Sequence, residues 1–322
     1  MFATGLVADG QGWGKAEQSD LDNAPPILRK ALLASPHLSY VGTRLVEFRH
    51  NGVAERHSEI ITRRGDMVRI DFPDDSPQAG QVIVENREER RHYYPDKNEI
   101  QILPPRHEEA LQRLGRIVGK GDRKFGLSSG GFLQVANIRT EQVVVSDKDG
   151  NVVQRIYIDP QTGLILKRAF FDEVGTSAGG FEFTRIEYSP HIDPSVFWIR
   201  RKGARIVTPA ELLDRLARAN GFTPVTLPWS SGFRLEGSNI RKIEGEPVLM
   251  QTYEGRQGRH LSLFQLKRSV SPDRLRKYAA RQGFQFVSWR TDGNTLVLMG
   301  SIPSADLLSI AGPMSGGTAS AG

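Results

Sequence analysis

Residues 155–197 constrain this chain most. They read Arg-Ile-Tyr-Ile-Asp-Pro-Gln-Thr-Gly-Leu-Ile-Leu-Lys-Arg and continue through Gly-Phe-Glu-Phe-Thr-Arg-Ile-Glu-Tyr to Asp-Pro-Ser-Val-Phe. In Asp159-Pro160-Gln161-Thr162-Gly163, proline fixes φ early and glycine allows φ > 0 later, which is turn chemistry between two apolar runs of strand length. Residues 156–158 and 164–171 therefore read as a hairpin. The run Gly175-Thr176-Ser177-Ala178-Gly179-Gly180 reads as a longer loop before a strand at 181–188, on which Phe181 and Phe183 face apolar surroundings. Three consecutive antiparallel strands make a meander.

The same rhythm holds upstream. Strands are predicted at 40–48, 58–62, 67–72, 81–84, 91–94 and 99–103, with turns at Asn51-Gly52, Arg64-Gly65-Asp66 and Pro95-Asp96-Lys97-Asn98. Two helices interrupt it. One follows Pro25-Pro26, with Ile27, Leu28, Ala31 and Leu32 on one face; the other covers 107–118, with Ala110, Leu111, Leu114, Ile117 and Val118 on one stripe. A glycine-rich passage then runs to Phe132, and strands resume at 141–146.

Further along, Thr208-Pro209-Ala210-Glu211 has the form of a capping box with proline at the first helical position, and Asn220-Gly221 is a helix stop. The helix between them links or opens a second unit. That unit has strands at 233–243, 248–254 and 260–267, a basic helix opened by Ser271-Pro272-Asp273 and running to Gln282, a hairpin of 284–290 with 295–301 over Asp292-Gly293-Asn294, and a closing helix at 303–311.

At 322 residues the chain is long enough for two domains. Hydrophobic residues make up 38% and charged residues 25%, which is the balance of a chain that buries a core. No run approaches the ~20 apolar residues of a membrane-spanning helix. Residues 1–9 are mostly apolar but carry no basic region and are too short for a secretory signal, so no signal peptide is evident; a signal remnant and a frayed tail both fit. The absence of cysteine removes disulfides, thiol catalysis and thiolate metal sites.

Charge is unevenly distributed. From Arg201 onward there are 17 Lys+Arg and 9 Asp+Glu, whereas residues 1–200 carry 26 and 28. The basic surplus therefore lies in the C-terminal part.

These residues carry a resemblance. Residues 25–200 resemble the lipoprotein carriers LolA and LolB through the hairpin Tyr157-Ile158-Asp159-Pro160-Gln161-Thr162-Gly163-Leu164, the hairpin 172–188 and the ending 193–197. The second half is similar to the C-terminal domain of the MucB/RseB proteins, periplasmic regulators of an extracytoplasmic-stress sigma factor. That likeness rests on Leu227-Pro228-Trp229-Ser230-Ser231-Gly232-Phe233, Gln251-Thr252-Tyr253-Glu254-Gly255, residues 260–266 and residues 293–300.

The resemblance implies an α+β fold: an incomplete antiparallel β-barrel with helices in its mouth, plus a smaller α+β C-terminal domain. The expected boundaries are a flexible segment 1–23, the LolA/LolB-like half-barrel 24–200, a linker helix 201–223, the partner-binding domain 224–312 and a disordered tail 313–322. The implied function is that of a non-enzymatic periplasmic protein. It would bind the periplasmic region of a transmembrane anti-sigma factor and sense lipid or lipoprotein acyl chains in its N-terminal cavity. A lipoprotein or lipid carrier is the alternative, and self-association stays open.

Val46, Phe48, Val68, Ile70, Tyr93, Ile102, Ile156, Ile158, Leu166, Phe170 and Phe183 are the candidate cavity residues. A cavity lined by such side chains takes acyl chains at about 0.8 kcal/mol per buried CH₂. Strand alternation does not tell an open apolar face from ordinary core, so the core reading stands beside this one. Arg274, Arg276, Lys277 and Arg281 are candidates for docking an acidic partner segment or anionic headgroups, with a solvated helix face as the alternative. No nucleic-acid module is recognisable, which sets DNA and RNA aside. His107-Glu108-Glu109 and residues 87–92 lack the spacing of a metal site, and Ser128-Ser129-Gly130-Gly131 lacks the lysine of a phosphate loop. No cofactor, metal or catalytic residue is assigned.

Overall fold

The computed structural model describes residues 25–34, 37–50, 53–105, 125–172, 174–256, 259–291, 293–316 and 319–321. The helix predicted at 107–118 and the Asn51-Gly52 turn lie outside them. Two compact units divide the chain between Arg205 and Ile206, with residues 101–104 counted to the second.

The larger sheet has twelve strands, ten of them at the predicted runs and β7 and β12 not predicted: β1 (Ser39–His50), β2 (Val53–Arg64), β3 (Met67–Asp71), β4 (Val82–Glu85), β5 (Arg90–Tyr94), β6 (Glu99–Leu103), β7 (Phe125–Val135), β8 (Ile138–Asp147), β9 (Val152–Ile158), β10 (Ile165–Phe171), β11 (Ser177–Tyr188) and β12 (Arg205–Val207). Their order is β12-β6-β5-β4-β3-β2-β1-β11-β10-β9-β8-β7. Two meanders are thus joined where the first strand of one pairs with the last of the other. No pairing between β12 and β7 closes the sheet among the described residues, so this is an open antiparallel sheet.

Directly opposed residues on antiparallel strands share a face. One face carries Ile156 and Ile158, which α1 (Pro26–Ala34) covers with Ile27, Leu28 and Ala31. The other face carries Val82, Val84 and Tyr93, packed with Ile192 and Phe197. Each fully buried aliphatic side chain contributes roughly 1.5–3 kcal/mol.

The turn Asp159–Gly163 locks α1 onto the sheet. Gly163 has φ +78°, and a Cβ there would stand 2.8 Å from the Ala34 Cβ, so glycine is needed for both its dihedral and the close approach. Asp159 is 2% exposed. Its carboxylate accepts from the Gln161 N–H at 2.8 Å, the Thr162 hydroxyl at 2.7 Å and the Tyr188 hydroxyl at 2.8 Å. Burial, together with this nearby carboxylate, drives the Tyr188 hydroxyl well above its ordinary pKa.

Gly179 and Gly180, expected in a loop, instead lie in β11. Gly179 pairs with both Phe48 and Phe170 at φ +133°. A Cβ on Gly179 would meet the Glu47 carbonyl oxygen at 2.6 Å. Two glycines together resemble a loop in sequence; here they allow three backbones to approach closely.

The second unit is a six-stranded sheet ordered β13-β14-β15-β17-β16-β18. Its strands are β13 (Phe233–Ile243), β14 (Glu246–Gly255), β15 (His260–Lys267), β16 (Gln285–Thr291), β17 (Asn294–Gly300) and β18 (Ser320–Ala321), with helices α2 (Pro209–Ala219), α3 (Asp273–Gln282) and α4 (Ser304–Ser315). The capping box of α2 forms as predicted, with the Glu211 N–H donating to Thr208 and the Thr208 N–H donating to Glu211. This helix does more than link: Leu213 and Ala217 pack against Phe222, just past the helix, and against Leu249 of β14. α3 buries Leu275 and Ala279 over Val297 and Met299, and α4 buries Leu307 and Ala311 over Val287 and Leu298.

Three side chains hold the extended residues 223–227. Gln265 accepts from the Val225 N–H and donates to the Thr223 carbonyl, at 3.1 and 2.8 Å. Gln251 donates to the Val225 carbonyl at 2.8 Å, and the Tyr253 hydroxyl accepts from the Leu227 N–H at 3.1 Å. Where disorder was expected at the tail, Ser320 and Ala321 pair with Ser288 and Val287, because β16 otherwise leaves its backbone groups unpaired on that side.

Candidate functional site: a hollow beside Gly179

On the face that α1 covers further along, the sheet has an uncovered hollow of about 280 Å³, lined by Arg44, Val46, Glu47, Phe48, Phe170, Ala178, Gly179, Gly180 and Phe181. That is just under the ~300–1,000 Å³ of ordinary ligand pockets. The register explains it. Phe48, Gly179 and Phe170 form one cross-strand row, so the middle strand presents no side chain between two phenylalanines. Val46, Phe181 and Arg168 form the next row, and Arg44 stands opposite Phe183 beyond it. Phe48 and Phe170 are 38% and 39% exposed, unusual for aromatics on a face that is core elsewhere.

The wall is not purely apolar. The Arg44 guanidinium lies 4.9 Å from the Phe181 ring centre, and that of Arg168 lies 4.8 Å from Phe170, both in cation–π range. Arg44 Nε and Nη2 approach one oxygen of Glu59 at 2.8 and 2.6 Å. The other Glu59 oxygen is 3.3 Å from His57 Nε2, and His57 Nδ1 is buried with no hydrogen-bond partner among the described residues. Burial would push the Glu59 carboxyl up; Arg44, aided by His57, outweighs it and holds it below the usual carboxylate range. Glu47 at the rim pairs with Arg56 at 2.7 Å.

The sequence-derived residues fall in several places. Val46, Phe48 and Phe170 line the hollow. Val68, Leu166 and Phe183, with half-buried Ile70, join Tyr40 and Ile61 in a packed core. Ile156 and Ile158 lie under α1, Tyr93 is on the opposite face, and Ile102 is half-buried on β6. Arg44 and Phe181 were absent from that set, although position 44 has the same parity as 46 and 48 on one strand.

On α3, Arg274, Arg276 and Lys277 are exposed. Arg274 Nε is 3.5 Å from Glu244, and the Arg276 guanidinium lies 5.4 Å from the Phe286 ring centre. The Arg281 side chain lies outside the described residues. Gly126-Leu127-Ser128-Ser129-Gly130 has the spacing of a nucleophile elbow, which requires a strand-to-helix turn. All five residues lie inside β7, so the elbow geometry is missing. Among the described residues, no three His, Asp or Glu side chains gather as metal ligands.

No protein-family model matches the chain, and no curated protein sequence does. Among solved structures, MucB is similar at 18% identity, covering 88% of this chain and 94% of that one, with TM-score 0.42. The Pseudomonas aeruginosa MucA/MucB complex gives 18% identity, 88% and 95% coverage and TM-score 0.41. A LolA superfamily protein from Nitrosomonas europaea gives 11% identity, 88% and 94% coverage and TM-score 0.23.

Proposed function

We propose that this chain is a non-enzymatic extracytoplasmic binding protein. Its C-terminal unit engages the periplasmic region of a membrane-anchored anti-sigma factor, and its N-terminal unit takes lipid or lipoprotein acyl chains, so that lipid occupancy relieves restraint on a stress sigma factor. The observation that carries the lipid half is the hollow over Gly179, a pocket between exposed phenylalanines on a face that is packed core elsewhere. The partner half rests on the C-terminal resemblance and on the exposed cations of α3, a face suited to an acidic segment.

The test is affinity capture from detergent-solubilised envelope membranes with the full chain as bait, followed by mass spectrometry of bound proteins and lipids. The expected catch is a single-span membrane protein, lost when Arg274→Glu and Arg276→Glu reverse the α3 face. Both side chains are exposed, so folding is expected to hold within about 0.5 kcal/mol. Recovery of lipoproteins alone would favour the carrier; an undiminished catch with the reversed face would remove α3 from the interface.

A further inference from the structure

The hollow has a polarity that an acyl-chain site does not need. Phe48, Phe170 and Phe181 supply apolar wall, but Arg44 is also part of the lining and Arg168 stacks on one of the same rings. Building on the lipid reading above, we propose that the hollow selects a single-chain amphiphile with an anionic head: the head sits on Arg44, and the chain runs against Phe48, Phe170 and Phe181.

Arg44 is fixed but not used up. Its Nε and Nη2 both converge on one Glu59 oxygen. A guanidinium has five N–H donors, and the rest of Arg44's have no protein acceptor among the described residues. Glu59, buried and held ionised, fixes the guanidinium and Phe181 supports its face, an arrangement in which a bound anion need not order a flexible side chain.

Arg44 lines the hollow, and Arg168 stacks on Phe170 at its edge. Of the carboxylates on the strands around it, Glu59 is engaged by Arg44 and Glu47 by Arg56, while Glu55 stands opposite Phe48 on β2. A carboxylate or phosphate head gains hydrogen bonds to Arg44 in which both partners are charged, a neutral hydroxyl gains only a weaker one, and a cationic head is repelled. The absence of a side chain at Gly179 leaves room for one chain between Phe48 and Phe170.

The test is calorimetric titration of the full chain with four probes sharing one dodecyl tail, below their micelle concentrations: dodecanoate, dodecyl phosphate, dodecanol and dodecyltrimethylammonium. Either acid is expected to bind about tenfold or more tighter than the alcohol, the tighter of the two identifying the head, and the cation weakest. Arg44→Gln combined with Glu59→Gln removes the ion pair without stranding a buried carboxylate. It should bring the acids down to the alcohol's affinity measured on the same variant. Equal affinities for all heads would overturn the anionic-head assignment and leave the apolar hollow standing. An acid preference that survives the double variant would overturn Arg44 as its seat. No binding by any probe would overturn both this inference and the lipid half of the proposed function.

Discussion

Asp159 ties its own turn to β11, because three donors from two parts of the chain converge on its buried carboxylate. Asp159→Asn keeps the size but turns an amide donor toward donors. The expected cost is about 1–3 kcal/mol, read as a lower urea midpoint at unchanged slope; an unchanged midpoint would mean the amide reorients without loss. The turn itself was legible, since Pro160 and Gly163 act locally. Tyr188 was not, because nothing in the sequence ties a tyrosine to an aspartate 29 residues earlier. The same limit explains the hollow. Parity places Val46, Phe48, Phe183 and Ile156 on one face, but whether α1 lies over them is a tertiary fact, so the list mixed open and packed positions.

Elements were legible where polar and apolar residues alternate or a cap is spelled out, as in β1, β13 and α2. β7 was missed because Phe-Gly-Leu-Ser-Ser-Gly-Gly-Phe has no alternation, and its inclusion follows from pairing with β8. The extended residues 223–227 were unreadable for a different reason: their backbone partners are side chains of β14 and β15 rather than another strand. Tyr253 closes that set, and burial pushes its hydroxyl from 10.0 up to about 12. A raised folded pKa gives stability that is fully present below pH ~10 and lost as pH rises toward ~12, on the order of 2 kcal/mol in all. Comparing urea unfolding at pH 9 and 11.5, the wild type should lose more than Tyr253→Phe, although the variant starts lower for want of the Leu227 contact. Equal losses would show that this tyrosine does not couple to folding.

At the scale of the whole molecule, each hydrophobic cluster lies within one unit, and the shifted carboxyls of the two units point in opposite directions. In the first unit Glu59 is depressed by Arg44 and His57 against the pull of burial. A depressed carboxyl contributes stability present above its unfolded value, near 4.5, and lost as pH falls through the folded one. Asp147 and Asp193, lowered mainly by hydrogen bonds from Asn151 and Ser195, act in the same direction. In the second unit Glu254 is raised, by burial first and then by Glu236, so its strain is greatest at neutral pH and relieved by protonation. Mild acid should therefore loosen the sheet that holds the hollow before it loosens the sheet that carries α3. Hydrogen exchange at pH 3.5 and 7, corrected for intrinsic rates, should show protection lost across β1, β2 and β11 while β14, β15 and β17 keep theirs. Simultaneous loss in both sheets would mean that the units unfold as one and that these carboxyls do not set the order.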